Sequence, residues 1–191
     1  MKVTKMSSVK ERKLLRQILK KGEILGIGSS RVTFLHPQNP NLVVKIAFGA
    51  NAYRQNKLEV ETFKNANEDA PLAIIESYGN YCVVMEKMEV AYDRDDAYAK
   101  QKKTAEAAEY LEELFGDTSD NWQIGRTKDG RYVSYDYGFD PHAKYVYEQC
   151  GWADEGAEDW KTVLREMIKH SITKEPTNKI EKLGKRICSA D

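Results

Sequence analysis

An α+β fold in two parts, sheet-rich first and helix-rich second, is what the sequence predicts, on three observations. Gly26 and Gly28 open a stretch in which Val32 and Phe34 alternate like a strand, and a turn at residues 36–41 holds two prolines and two asparagines. Apolar, strand-like runs follow at 42–48, 73–77 and 81–85. Beyond them, residues 93–115 are rich in Ala, Glu and Lys, with Ala105, Ala108, Leu111 and Leu114 on one helical stripe.

Taken in order, the chain first predicts a helix over 8–21, with Val9, Leu14, Leu15, Ile18 and Leu19 on one face and basic residues around the rest. Gly22 stops it. A glycine-rich hairpin spans 24–34 and 42–48, and its return strand is interrupted by one charge, Lys45. A helix over about 51–65 precedes Pro71. The strands 73–77 and 81–85 are separated by Tyr78-Gly79-Asn80. Past a polar loop at 116–121, strands at 122–126 and 131–135 flank Lys128-Asp129-Gly130. Trp160, Val163, Leu164, Met167 and Ile168 then mark the clearest amphipathic segment of the second half. There is no internal repeat. The organisation expected is a basic N-terminal helix (1–21), a sheet-rich lobe (22–88) and a reduced helical lobe (89–191), meeting at a hinge near 86–89.

The 191 residues are 41% hydrophobic and 31% charged, which suits a globular protein and argues against a mostly disordered one. No stretch approaches the roughly 20 apolar residues of a membrane helix, and the charged start lacks a signal peptide's apolar core. Cys82, Cys150 and Cys188 match no disulfide or zinc spacing and read as reduced thiols of a cytoplasmic protein. His36, His142 and His170 share no metal-ligand spacing. The 30 basic and 30 acidic side chains cancel, but unevenly. Residues 1–21 carry eight basic groups and one acid, Glu11, and residues 161–187 carry eight basic and three acidic groups, around an acidic middle. Basic termini of this kind admit nucleic-acid or acidic-partner binding, though no recognition motif accompanies them.

Three constellations carry chemistry. Closely spaced glycines let backbone amides approach a phosphate chain, so Gly26, Gly28, Ser29 and Ser30 form a candidate anion loop, against an ordinary hairpin as the alternative. An ammonium in an apolar strand needs an anionic partner or a route to water, and Glu59 and Glu61 on the following helix are both available to Lys45. Glu59 is preferred, because Leu58 and Phe63 then pack beside it while Glu61 faces away. Finally, Asn121 and Asp136 offer hard oxygens of the kind Mg²⁺ accepts, and Asp117 is placed to take a hydroxyl proton. Taken singly, the Asp-rich loop 116–121 also reads as a plain capping turn.

In this order (glycine hairpin, strand lysine, helix glutamate, hinge, Asp…Asn loop, strand-end Asp-Tyr-Gly) the chain resembles the protein-kinase-like superfamily over roughly residues 22–140. It is especially like the short kinase-like phosphotransferases of bacteria and their viruses. The resemblance implies two lobes: an antiparallel β-sheet N-lobe with one main helix, and a short, mainly helical C-lobe. It implies that Gly26, Gly28, Ser29 and Ser30 cover ATP phosphates and that Lys45, paired with Glu59, holds them. It also implies that Asn121 and Asp136 bind Mg²⁺, that Asp117 is the base, and that Glu86 and Met88 flank the adenine through their backbones. Arg31 stands where the family has its third glycine, and Phe115-Gly116-Asp117 where it has His-Arg-Asp. Asp117 and Asn121 are four apart rather than five, which leaves Asp120 as a substitute base. The implied function is ATP- and Mg²⁺-dependent phosphoryl transfer, with protein Ser/Thr as the favoured acceptor and a small molecule next. The alternative is a weak or inactive pseudokinase that binds or inhibits a partner protein, and behind it adenylyl transfer or nucleic-acid binding.

Overall fold

The computed structural model describes residues 1–27, 31–47, 50–90 and 124–138, together with 161, 162, 164, 165 and 168. Two sheets organise them. β1 (Thr4–Lys5), β2 (Ile24–Ile27), β3 (Arg31–Leu35), β4 (Leu42–Ala47), β5 (Ile75–Tyr78) and β6 (Cys82–Glu86) form a six-stranded sheet in the order β1-β5-β6-β4-β3-β2. All its pairings are antiparallel except β1 with β5. β7 (Met88–Val90), β8 (Ile124–Thr127) and β9 (Tyr132–Ser134) form a smaller antiparallel sheet. Helices α1 (Ser8–Lys21) and α2 (Ala50–Asn65) complete the described elements.

Strand alternation assigns each residue of the large sheet to one of two faces. Val32, Phe34, Leu42, Val44, Ile46, Cys82 and Val84 point one way and pack against Leu14, Leu15 and Ile18 of α1 and against Leu164 and Ile168. Val43, Val83, Met85 and Ile75 point the other way and meet Val60 and Phe63 of α2, Leu72, Val133 and Tyr137. The sheet is therefore covered on both faces, and β4 is buried along its whole length. Each fully buried side chain such as Leu15 or Ile18 contributes about 1.5–3 kcal/mol.

α1 begins where the Ser7 side chain accepts from Lys10 N–H at 3.4 Å, and ends at Gly22, whose N–H donates to Ile18 O. Its buried stripe differs from the expected one in two places. Val9 is 70% exposed, while Glu11 is buried with Leu14, Leu15 and Ile18. The 3.6-residue period explains both: positions 11, 14, 15 and 18 share a face, and position 9 lies well off it. The Glu11 carboxylate accepts the Tyr81 N–H at 2.7 Å and the Cys82 thiol at 3.6 Å, sewing α1 to β6. Burial, then the Glu11 charge, pushes the Cys82 thiol well above its ordinary pKa. The same two causes, with Tyr53, push the Tyr81 hydroxyl up to about 12.

Among the described residues the expected strands are present, with ends within one to two residues, but neither the two-residue β1 nor β7, which falls where the hinge was expected, was anticipated. The β8–β9 turn uses Gly130 at φ 86°, a left-handed conformation open to glycine. Thr127 Oγ1 donates to Asp129, and Arg131 Nε donates to Asp129 Oδ2 at 2.9 Å. These two bonds hold the Asp129 carboxyl down at about 2. The helix predicted over 93–115 lies outside the described residues. Among the described residues, no helix is long and apolar enough to cross a membrane.

Candidate functional site

The buried charged side chains of the large sheet, Lys45 and Arg31, lie on the α2 face. Register sets this: Gly26 pairs with Thr33, Thr33 with Lys45 and Lys45 with Val83, so these four form one row across β2, β3, β4 and β6. Paired residues present their side chains to the same face. Gly26, two strands from Lys45 and so about 10 Å away, adds no side chain to this row. Among the described residues, a Cβ there would meet nothing within 4 Å, which leaves open space beside the Lys45 row.

Lys45 is 5% exposed and Glu59 is fully buried. Lys45 Nζ donates to Glu59 Oε1 at 2.9 Å and also to the Tyr135 carbonyl. α2 delivers Glu59 on the same side as Val60 and Phe63, while Glu61 is exposed. Asp136 follows β9, and its Oδ1 lies 3.9 Å from Lys45 Nζ. Two features hold Asp136 there. Tyr137 is buried and its hydroxyl donates to Ala73 O at 2.7 Å. Burial, then the nearby Glu59 charge, pushes that hydroxyl well above its ordinary pKa and keeps it a neutral donor. Gly138 packs directly on α2, where a Cβ would run into the Gln55 carbonyl and Glu59 Cβ. Its φ is not left-handed, so glycine serves here for close approach rather than for backbone freedom.

The fourth member is Arg31, which sequence reasoning assigned only to the tip of the glycine loop. It begins β3 opposite Ala47, on the Lys45 face, and is 6% exposed. Its Nη1 donates to Glu59 Oε2 at 2.7 Å and Asn56 Oδ1 at 3.3 Å, and its Nη2 to Glu59 Oε1 at 3.4 Å and to Asp136 Oδ1. Asn56 in turn donates to Tyr81 O at 3.1 Å. Among the described residues, two cations and two carboxylates thus meet in one cluster, buried except at Asp136, which is partly exposed. Burial would raise the Asp136 carboxyl, but the Arg31 and Lys45 charges outweigh it and hold it below its ordinary value. The signal for Arg31 was available: in an alternating strand, residues 31 and 33 share a face, and Thr33 pairs with Lys45.

Gly28, Ser29, Ser30, Asp117 and Asn121 lie outside the described residues. Met88 is in β7, paired with Thr127. Glu86 has its N–H committed to Ile74 O at 3.0 Å, and Lys87 N–H to Asn41 O at 2.8 Å, so neither amide is open to a base. The Glu86 carboxylate accepts Ile74 N–H at 2.7 Å and pairs with Arg131 Nη2 at 2.9 Å, tying the two sheets together. At Asp136 one oxygen carries a guanidinium and an ammonium stands nearby, so that oxygen is not open to a divalent cation as arranged, while Asn121, the other expected ligand, lies outside the described residues. The Lys45 and Arg31 cations beside the open Gly26 position do suit a polyphosphate.

No family model matches the chain, and no curated protein does. Solved structures do. An apo pseudokinase is similar at a TM-score of 0.50 and 13% identity, over 100% of this chain and 96% of the other. A second pseudokinase, drought responsive inactive kinase 1 bound to ENMD-2076, has a TM-score of 0.49 and 12% identity, over 99% of this chain and 98% of the other. APH(2″)-IIa in its gentamicin complex has a TM-score of 0.40 and 16% identity, over 90% of this chain and 61% of the other. With the β-sheet lobe, its α2 helix and the Lys45 row already in place, the likeness shows the fold: this chain has an α+β, protein-kinase-like fold.

Proposed function

We propose that the chain binds ATP against the Lys45 face of the large sheet and acts as a kinase-type phosphotransferase with protein Ser/Thr hydroxyls as acceptors. The observation that carries this reading is the buried Lys45–Glu59 pair at 2.9 Å, on the sheet face left open at Gly26. Lys45 gives one donor to Glu59 and one to the Tyr135 carbonyl, and its third would serve a phosphate oxygen. Lys45 would hold the phosphate chain, Glu59 would hold Lys45, and the 26–30 loop would cover the phosphates. In the transfer, the bond from the γ-phosphorus to the ADP oxygen breaks as the acceptor oxygen bonds to phosphorus. The hydroxyl proton passes to the carboxylate of Asp117, with Asp120 the alternative.

A second reading, a partner-binding module without transfer activity, is favoured by one observation: Arg31 occupies the Asp136 carboxylate. Incubating the full chain with γ-labelled ATP, Mg²⁺ and a broad protein mixture separates the two. Transfer that is lost in Lys45→Ala and Asp136→Asn supports the enzyme. ATP binding without transfer across divalent metals overturns it in favour of the module, and no thermal shift with ATP under any condition overturns the nucleotide-binding reading and leaves the module.

A further inference from the structure

The Arg31 guanidinium lies where a strand-end carboxylate of this fold would be expected to meet a cation. It is covalently part of the sheet, buried, and anchored by Asn56 and Glu59 while its Nη2 bonds Asp136 Oδ1. Lys45 approaches the same oxygen at 3.9 Å. A guanidinium stays charged at any pH a folded protein experiences, so it cannot vacate the carboxylate by losing a proton. Mg²⁺ needs about six oxygens in near-octahedral geometry and gives up its waters reluctantly. It would have to displace a planar donor held by Asn56, Glu59 and Asp136, against the charges of Arg31 and Lys45 beside it.

We propose that Arg31 is a built-in substitute for the divalent cation at Asp136, so that a nucleoside triphosphate binds the Lys45 site without metal, and metal and Arg31 compete for one carboxylate. The nucleotide half of this inference rests on the ATP-binding reading above; the competition for Asp136 does not. Arg31 opens β3, the strand that also carries Thr33 of the Lys45 row, so its charge and that of Lys45 lie on one face. The site would therefore favour the metal-free polyphosphate, a chemistry that neither Lys45 nor Glu59 alone would confer.

Two measurements on the full chain test it. The first titrates ATP by calorimetry in EDTA and in excess Mg²⁺, using wild type, Arg31→Gln and Arg31→Lys. Wild type and Arg31→Lys are expected to differ between the two conditions by less than about threefold. Arg31→Gln, which keeps bulk and hydrogen-bond donors but no charge, is expected to bind about tenfold or more tightly with Mg²⁺, a gap of about 1.4 kcal/mol. The second follows free Mn²⁺ by electron paramagnetic resonance without nucleotide. Arg31→Gln is expected to bind Mn²⁺ about tenfold more tightly than wild type, and Arg31→Gln/Asp136→Asn to lose that gain. A wild-type chain that needs Mg²⁺ for ATP, with Arg31→Gln behaving identically, overturns the inference and leaves the ATP reading standing. Absence of ATP binding by every variant removes the ATP reading, and the Mn²⁺ arm then decides the competition alone: equal Mn²⁺ affinities in wild type and Arg31→Gln overturn it.

Discussion

Glu11 and Glu59 are both buried helix carboxylates, one on each face of the same sheet, and they are neutralised in opposite ways. Among the described residues, Glu11 is bonded by neutral donors, the Tyr81 amide and the Cys82 thiol. Glu59 takes two full cations, Lys45 at 2.9 Å and Arg31 at 2.7 Å. Neutral donors built into a strand are fixed in place, so Glu11 acts as a rivet between α1 and β6. Side-chain cations carry full charges, so on the proposed reading the Glu59 face holds charge that a ligand can share, and the α1 face serves cohesion while the α2 face serves chemistry.

The same isosteric change at both positions gives the sharpest contrast. Glu59→Gln leaves Lys45 and Arg31 with less compensation in a buried site and is expected to cost about 3–5 kcal/mol in urea denaturation. Next comes Gly138→Ala, which drives a methyl group into the Gln55 carbonyl of α2 and is expected to cost about 1–3 kcal/mol. It should also weaken ATP binding by shifting Asp136 and Glu59 apart, a readout that calorimetry supplies. Glu11→Gln keeps an acceptor for the Tyr81 amide and should cost about 1 kcal/mol or less. A loss at Glu11 equal to that at Glu59 would break the contrast between rivet and shared charge.

The last effect is confined to acid. The Asp136 carboxyl titrates lower in the folded chain than its ordinary value of 3.8, so the unfolded chain binds the proton more readily. Its contribution is therefore complete above 3.8 and is lost as pH falls through the lower folded value. Unfolding free energies between about pH 2 and 5 should fall less steeply in Asp136→Asn than in wild type. Identical slopes would mean that Arg31 and Lys45 do not stabilise this carboxylate.

The sheet and helices were legible because alternation and the helical period are strong over four or more residues, as at β4 and α1. Lys45 stood out as one charge in an apolar run, and Asp136 as a carboxylate at the end of a strand. β1 was invisible because two residues carry no period. Arg31 and Glu11 were missed for one shared reason: charged residues were weighed by composition and motif position, whereas their place is set by parity along the element. Position 31 shares a face with 33 in a strand, and position 11 with 14, 15 and 18 in a helix. The commitment of the Glu86 amide to Ile74 depends on how β5 and β6 pair, which no local pattern encodes.

The large sheet also has two edges, and each ends in a different way. On one side the last strand is β1, only Thr4–Lys5, too short to offer another chain a useful row of amides and carbonyls. On the other, β2 exposes Ile24, Leu25 and Ile27, a strip that would invite a second copy if it were flat. The register shift between Ile24 and Gly26 interrupts its pairing with β3 and bends the strand. Among the described residues, a short terminal strand and an interrupted register thus mark the two edges, a pattern that works against strand-by-strand self-association.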